Sequence, residues 1–164
     1  MRATLLTVHG EPAPQGSKRH VGHGRLIEQS TKVKPWRAAI VAACLARRVQ
    51  PLEGPLGCEI VFTLRKPLSA PKRTIAFPAK RPDLDKLYRS TLDGLVDGSA
   101  LVDDSQIVHL AGWKVYVDSG HPWALAQTGA LILMVELAGM PPGMPASWLS
   151  GLAADSHLTP PPPL

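Results

Sequence analysis

The chain has 164 residues, one domain's worth, and 45% of them are hydrophobic, enough for a sizeable core. It holds no apolar run of about eighteen residues that could span a membrane, and the apolar run after Met1-Arg2 is too short for a signal peptide, so a cytoplasmic protein is expected. Cys44 and Cys58 sit in apolar patterns without a Cys-x-x-Cys or a partnered His, which argues against a thiolate metal site.

The formal net charge of +5 conceals a division. Residues 1–81 carry 15 Lys/Arg against 4 Asp/Glu, whereas residues 82–164 carry 3 against 9. A basic half suits a polyanion and an acidic cluster suits a divalent cation.

In chain order, residues 3–8 (Ala-Thr-Leu-Leu-Thr-Val) predict a short strand. Glu11 to Gly16 is a loop, and Gly22-His23-Gly24 punctuates a small hairpin between Ser17-Lys18-Arg19-His20 and Arg25-Leu26-Ile27. His20 and His23 have no third ligand nearby, while Lys18, Arg19 and Arg25 on a Gly-rich loop suit phosphates. A first helix is expected after Ser30-Thr31, with Pro35 in its first turn and Trp36, Ala39, Ile40, Ala43 and Cys44 as its buried stripe; Gln50-Pro51 ends it.

From Leu56 the period becomes two. Leu56, Cys58, Ile60, Phe62 and Leu64 are expected on one face of a strand, with Glu59, Thr63 and Arg65 on the other. Residues 66–82 form a long Pro-broken loop with Lys66, Lys72, Arg73, Lys80 and Arg81 and no acid, a surface for a phosphate backbone.

The most informative stretch follows: Arg81-Pro82-Asp83-Leu84-Asp85-Lys86-Leu87-Tyr88-Arg89, completed downstream by Asp103-Asp104. Leu84, Leu87, Tyr88, Thr91, Leu92, Leu95 and Val96 recur at helical spacing, with Asp85, Lys86, Arg89 and Asp93 on the opposite side and Gly98 as the stop. Each acid has an ordinary explanation. Asp83 can be a helix cap, Asp85, Arg89 and Asp93 an i, i+4 ion-pair ladder, and Asp103-Asp104-Ser105 a turn. In combination, two acids at a helix start and two at a strand start can converge on a hard cation, which takes oxygen ligands.

Beyond this, Ile107 to Val117 predicts a strand with Gly112 as a bulge, and Leu131 to Leu137 a central strand. Lys114, ten residues past Asp104 and thus roughly 33 Å along an ideal strand, is a poor candidate for direct chemistry. Residues 139–164 are Pro-rich and are expected to form a flexible C-terminal tail after a single domain of residues 1–138.

The segment Arg81-Pro82-Asp83-Leu84-Asp85 … Leu92-Asp93-Gly94-Leu95 … Val102-Asp103-Asp104-Ser105-Gln106-Ile107 resembles the RusA family of Holliday-junction resolvases, with weaker similarity upstream through Gly10 to Arg19 and Trp36, roughly residues 3–138 in all. The resemblance implies a small α/β (α+β) protein, a mixed sheet with two helices, bacterial or phage-encoded. It further implies a homodimer that hydrolyses phosphodiesters in four-way DNA junctions with Mg²⁺ or Mn²⁺. Carried over by position, Asp83, Asp85 and Asp104 are the metal-binding catalytic acids, with Asp103 beside them. Arg89 stands where the family commonly has a catalytic Lys, and Lys86 where Asn is common; a planar guanidinium is not an ammonium.

Apart from the family, carboxylate-held Mg²⁺ supplies what phosphodiester hydrolysis needs, and Arg89, one turn from Asp85, is placed to steady phosphate oxygens. The expected DNA contacts are Lys18, Arg19, Lys72, Arg73, Lys80, Arg81 and Lys86. Two other readings stay open: a non-catalytic DNA-binding accessory protein, and a metal-dependent nuclease of other branched DNA or RNA.

Overall fold

The structure, a computed structural model, describes residues 2–16, 18–20, 26–28, 31–71 and 76–139, with backbone alone for 18–20 and 26–28. The strands are β1 (Ala3–His9), β2 (Lys18–His20), β3 (Leu26–Glu28), β4 (Leu56–Leu64), β5 (Ile107–Tyr116) and β6 (Gly129–Glu136). The helices are α1 (Val33–Ala46) and α2 (Leu84–Asp97), and a 3₁₀ turn at Asp104–Gln106 leads into β5. β2 and β3 form the expected hairpin. The other four strands make one sheet in the order β1-β6-β4-β5. β4 and β5 are parallel, as a helical crossover allows, and the remaining pairs are antiparallel, so the sheet is mixed.

Both helices lie on one face. Trp36 and Ile40 of α1 and Leu87 and Leu95 of α2 pack with Cys58, Ile60 and Phe62 of β4 and Ile132 and Met134 of β6. The other face carries Leu5, Val61, Val115, Leu131, Leu133 and Val135, covered in part by Trp123, Ala124 and Leu125. β4 is therefore covered on both sides, and the expected alternation fails there: Glu59 and Thr63 are 3% and 0% exposed. Thr63 is satisfied by the Leu125 N–H, which donates to its Oγ1 at 3.0 Å.

The helix pair is close-packed. Trp36 Nε1 donates to Thr91 Oγ1 at 3.1 Å across the buried contact. A Cβ added to Gly94 would lie 2.7 Å from Ile40 Cδ1, so α1 and α2 approach at a distance that only glycine permits. Arg37 of α1 pairs with Asp93 at 3.3 Å and Asp97 at 2.6 Å. Asp93 thus belongs to an inter-helix tie rather than to a ladder with Arg89.

Gly112 is not the bulge. The register shift falls between Leu56 and Gly57, opposite the start of β5. Gly112 has φ +155°, and a Cβ there would collide with the Ile60 carbonyl oxygen. The direction of α2 matters most for the site. Tyr88, in its second turn, packs on Phe62 near the end of β4, ring centroids 5.7 Å apart. Gln106, just before β5, reaches the Leu52 and Gly54 carbonyls near the start of β4, both at 3.3 Å. The helix runs counter to the strands on either side of it in sequence.

Candidate metal and phosphate site

Asp83 occupies the position before the first turn of α2, in extended conformation, but its side chain makes no cap hydrogen bond. The carboxylate turns instead to Lys86, whose Nζ donates to it at 2.7 Å. That hydrogen bond, then the charge of Lys86, and more weakly Arg81 and Lys114, hold the Asp83 carboxyl below the usual carboxylate range. It is a half-exposed, ionised oxygen donor at a helix start, where the helix dipole adds positive potential.

Asp85, Lys86 and Arg89 line a recess of about 200 Å³ together with Gln15 and Gly16. The loop before the hairpin is fixed there by the Gln15 N–H, which donates to the Lys86 carbonyl at 3.0 Å. Ser90 adds a second tie, its hydroxyl donating to the Ala13 carbonyl at 2.6 Å. Gln15 Oε1 is buried with no hydrogen-bond partner among the described residues. Asp85 and Arg89 are exposed, and neither side chain is engaged in an ion pair or hydrogen bond among the described residues. One carboxylate, two cations and an amide thus border a space large enough for a phosphate group.

The second pair of acids behaves differently. Asp103 accepts the Ser105 N–H at 2.9 Å, and Gln106 Oε1 accepts the Asp103 and Val102 N–H groups at 3.2 and 2.9 Å. This capping box closes the 3₁₀ turn, and its hydrogen bonds hold the Asp103 carboxyl below the usual range. Asp104 is exposed.

The four acids do not converge in one chain. Lys114 reaches the Pro82 carbonyl at the start of α2, and it lies seven residues into β5, roughly 23 Å along the strand from Ile107. Asp103 and Asp104 precede Ile107 and so lie at the far end of β5 and of α2, itself roughly 21 Å long. Among the described residues no three His, Cys, Asp or Glu side chains form a group that could hold a metal ion. The donor set at the α2 start nevertheless suits a hard cation of the Mg²⁺ type. Such an ion is commonly held through one or two carboxylates, with water and substrate phosphate oxygens completing its shell.

Of the basic residues expected at DNA, Lys80 and Arg81 are exposed immediately before α2, and Lys86 borders the recess. Lys72, Arg73 and the side chains of Lys18 and Arg19 lie outside the described residues. Two residues at the site escaped the sequence reading. Gln15 had no charge to mark it, and only its place in the Pro-Gln-Gly loop hinted at a close approach. Lys114 is remote from Asp104, as expected, yet it belongs to the Asp83 end, where its ammonium donates to the Lys80 and Pro82 carbonyls at 3.1 and 2.8 Å.

Two carboxylates, Asp83 and Asp85, beside Lys86 and Arg89 at a helix start, with Lys80 and Arg81 leading into them and a mixed sheet behind, mark the candidate site of an α+β protein. The family model Endodeoxyribonuclease RusA matches residues 9–122, well over half of the chain. The chain belongs to this family of endodeoxyribonucleases, and the match spans both helices, β4, β5 and every acid described above. Comparison with curated proteins gives no match. No helix among the described residues is long and apolar enough to cross a membrane.

Proposed function

We propose that this protein is a Mg²⁺- or Mn²⁺-dependent endonuclease that resolves four-way DNA junctions in recombination and repair, acting as a homodimer. The observation that carries the reading is the recess at the α2 start, where Asp85, Lys86 and Arg89 meet beside the ionised Asp83. Lys86 and Arg89 neutralise a phosphate seated there, while Lys80 and Arg81 hold the flanking backbone. A divalent cation held by the Asp83 and Asp85 carboxylates would supply polarisation of the phosphate and a more acidic attacking water.

The separation of the acids supports the dimer. β5 is an edge strand, and Val108, Leu110 and Trp113 on it are 65%, 39% and 56% exposed, with Val102 just before it at 69%. Two copies packed with their β5 strands antiparallel about a two-fold axis would bring the start of one β5 beside the end of the other. Asp103 and Asp104 of one copy would then approach Asp83 and Asp85 of its partner, giving two composite sites, one for each nick of a near-symmetric junction.

The test is a synthetic four-way junction incubated with the protein and Mg²⁺, with and without EDTA. Paired symmetric nicks that EDTA abolishes are expected. Binding without cleavage across Mg²⁺ and Mn²⁺ would make it an accessory DNA-binding protein, and equal cutting of flaps or RNA would remove junction specificity.

A further inference from the structure

Lys114 stands on β5, outside every acid-bearing segment, yet it reaches the start of α2. Its neighbour across the parallel ladder is Phe62, which packs on Tyr88 of α2, so the lysine stem runs along the helix-bearing face. The ammonium then donates to the Lys80 and Pro82 carbonyls at 3.1 and 2.8 Å. An ammonium has three donors, and charge-assisted bonds to carbonyls are stronger than neutral ones. The two carbonyls flank Arg81 and lead directly into Asp83. The other end of the same long loop is tied to the region after β5, where Lys66 pairs with Asp118 at 3.1 Å. Those two ties differ in what they fix: the Lys66 pair holds the loop's beginning, and Lys114 holds the residues that aim the first carboxylate.

We propose that Lys114 is a positioning residue for phosphodiester cleavage: by binding the Lys80 and Pro82 carbonyls to β5 it sets the direction in which the backbone presents Asp83 and Arg81 to the phosphate. This rests on the α2 start being the cleavage centre. An apolar side chain of the same length would fill the space but leave two carbonyls without that donor and the corner free to shift. A displacement of about 1 Å at reacting groups costs on the order of 100-fold in rate.

The test compares Lys114→Met, which keeps the stem and removes the donors, with Lys114→Arg, which keeps a charged donor. Three measurements are made on each: single-turnover junction cleavage in Mg²⁺, junction affinity in Ca²⁺, and amide hydrogen exchange of the metal-free protein. Lys114→Met is expected to cleave on the order of 100-fold more slowly, with affinity within about twofold of wild type and faster exchange confined to the first turn of α2, read at the Leu87 amide that bonds the Asp83 carbonyl. Lys114→Arg should recover most of the rate and the protection. Cleavage by Lys114→Met at the wild-type rate overturns the proposal. So does a loss explained by weaker junction binding, which would make Lys114 a DNA contact, or faster exchange across the whole sheet, which would make it a general strut. Should the wild-type protein cut no junction at all, the function proposed above fails. The exchange result still decides whether Lys114 fixes this corner, since unchanged exchange in Lys114→Met refutes the tie.

Discussion

Asp85 and Arg89 stand four residues apart on α2, a spacing that ordinarily invites an ion pair, yet both side chains are left to the recess. Asp85→Asn and Arg89→Ala are therefore each expected to slow junction cleavage by about 100-fold or more while leaving the melting temperature within a degree or two. Arg89→Lys should recover part of the rate; wild-type cleavage by Arg89→Ala would reduce the residue to solvated surface. Asp103 separates charge from capping in a way the other acids cannot. Asn caps about as well as Asp, so Asp103→Asn should keep the fold, whereas Asp103→Ala should lower the urea midpoint. If Asp103 has no share in the metal site, the Asn variant will cleave normally. One buried and one half-buried group set the alkaline limit. Burial, and then the charge of Glu59, push the Cys58 thiol up to about 12, and burial chiefly pushes the Tyr88 phenol up to about 12. Both keep their protons in the native state at pH values where the unfolded groups lose theirs. The stability they confer is full below about pH 9 and is lost as pH rises toward 12, where unfolding releases protons. Urea midpoints between pH 8 and 11 should fall with pH, and a flat profile would refute this.

At the scale of elements, the packing of α1 on α2 depends on a glycine that helix propensity alone would replace. Gly94→Ala should gain up to about 1 kcal/mol in helix preference but force a methyl against Ile40 Cδ1. Net destabilisation of about 1–3 kcal/mol is expected. Ile40→Val removes that δ-methyl, so the double variant should lose less than the sum of the single changes. Additive losses would mean that the helices simply move apart. The same elements show what was legible beforehand. α2 could be read from its seven apolar positions and Gly98, because a helix writes its buried stripe into local spacing. α1 was read the same way, β1 and β6 from short apolar runs, and the hairpin from its glycines. The burial of Glu59 and Thr63 was not legible, since two-sided cover of β4 comes from partners distant in sequence. Nor was the separation of Asp83 and Asp104. The parallel pairing of β4 with β5 forces α2 to run back along the sheet, so its length becomes the distance between the acids. Lys114 was set aside for a correct distance measured to the wrong partner.

For the whole molecule, the decisive question is whether one chain or two complete the site. In a mixed preparation of Asp85→Asn and Asp104→Asn chains, co-expressed so that heterodimers form, a composite site predicts recovered activity. One of the two sites in each heterodimer would then hold both intact acids, giving nicks in one strand alone. Activity no higher than either variant by itself would mean that the acids work within one chain or not at all. Light scattering of the free protein should give the mass of a dimer, near twice 17.6 kDa.

β1 also ties the two ends of the described sheet in time. It lies at the sheet's edge and its strand neighbour is β6, with Ala3 opposite Val135 and His9 opposite Gly129. During synthesis at about 5–20 residues per second, the ribosome needs roughly 6–25 s to pass from residue 9 to residue 135. Throughout that interval the Ala-Thr-Leu-Leu-Thr-Val strand has no ladder to join. α1 emerges early enough to shelter it, Arg47 reaching the Leu5 carbonyl at 3.3 Å. The nascent chain would therefore carry a helix-guarded but unpaired strand until almost the last sheet residue appears, and that is the stage at which a chaperone would find most to bind.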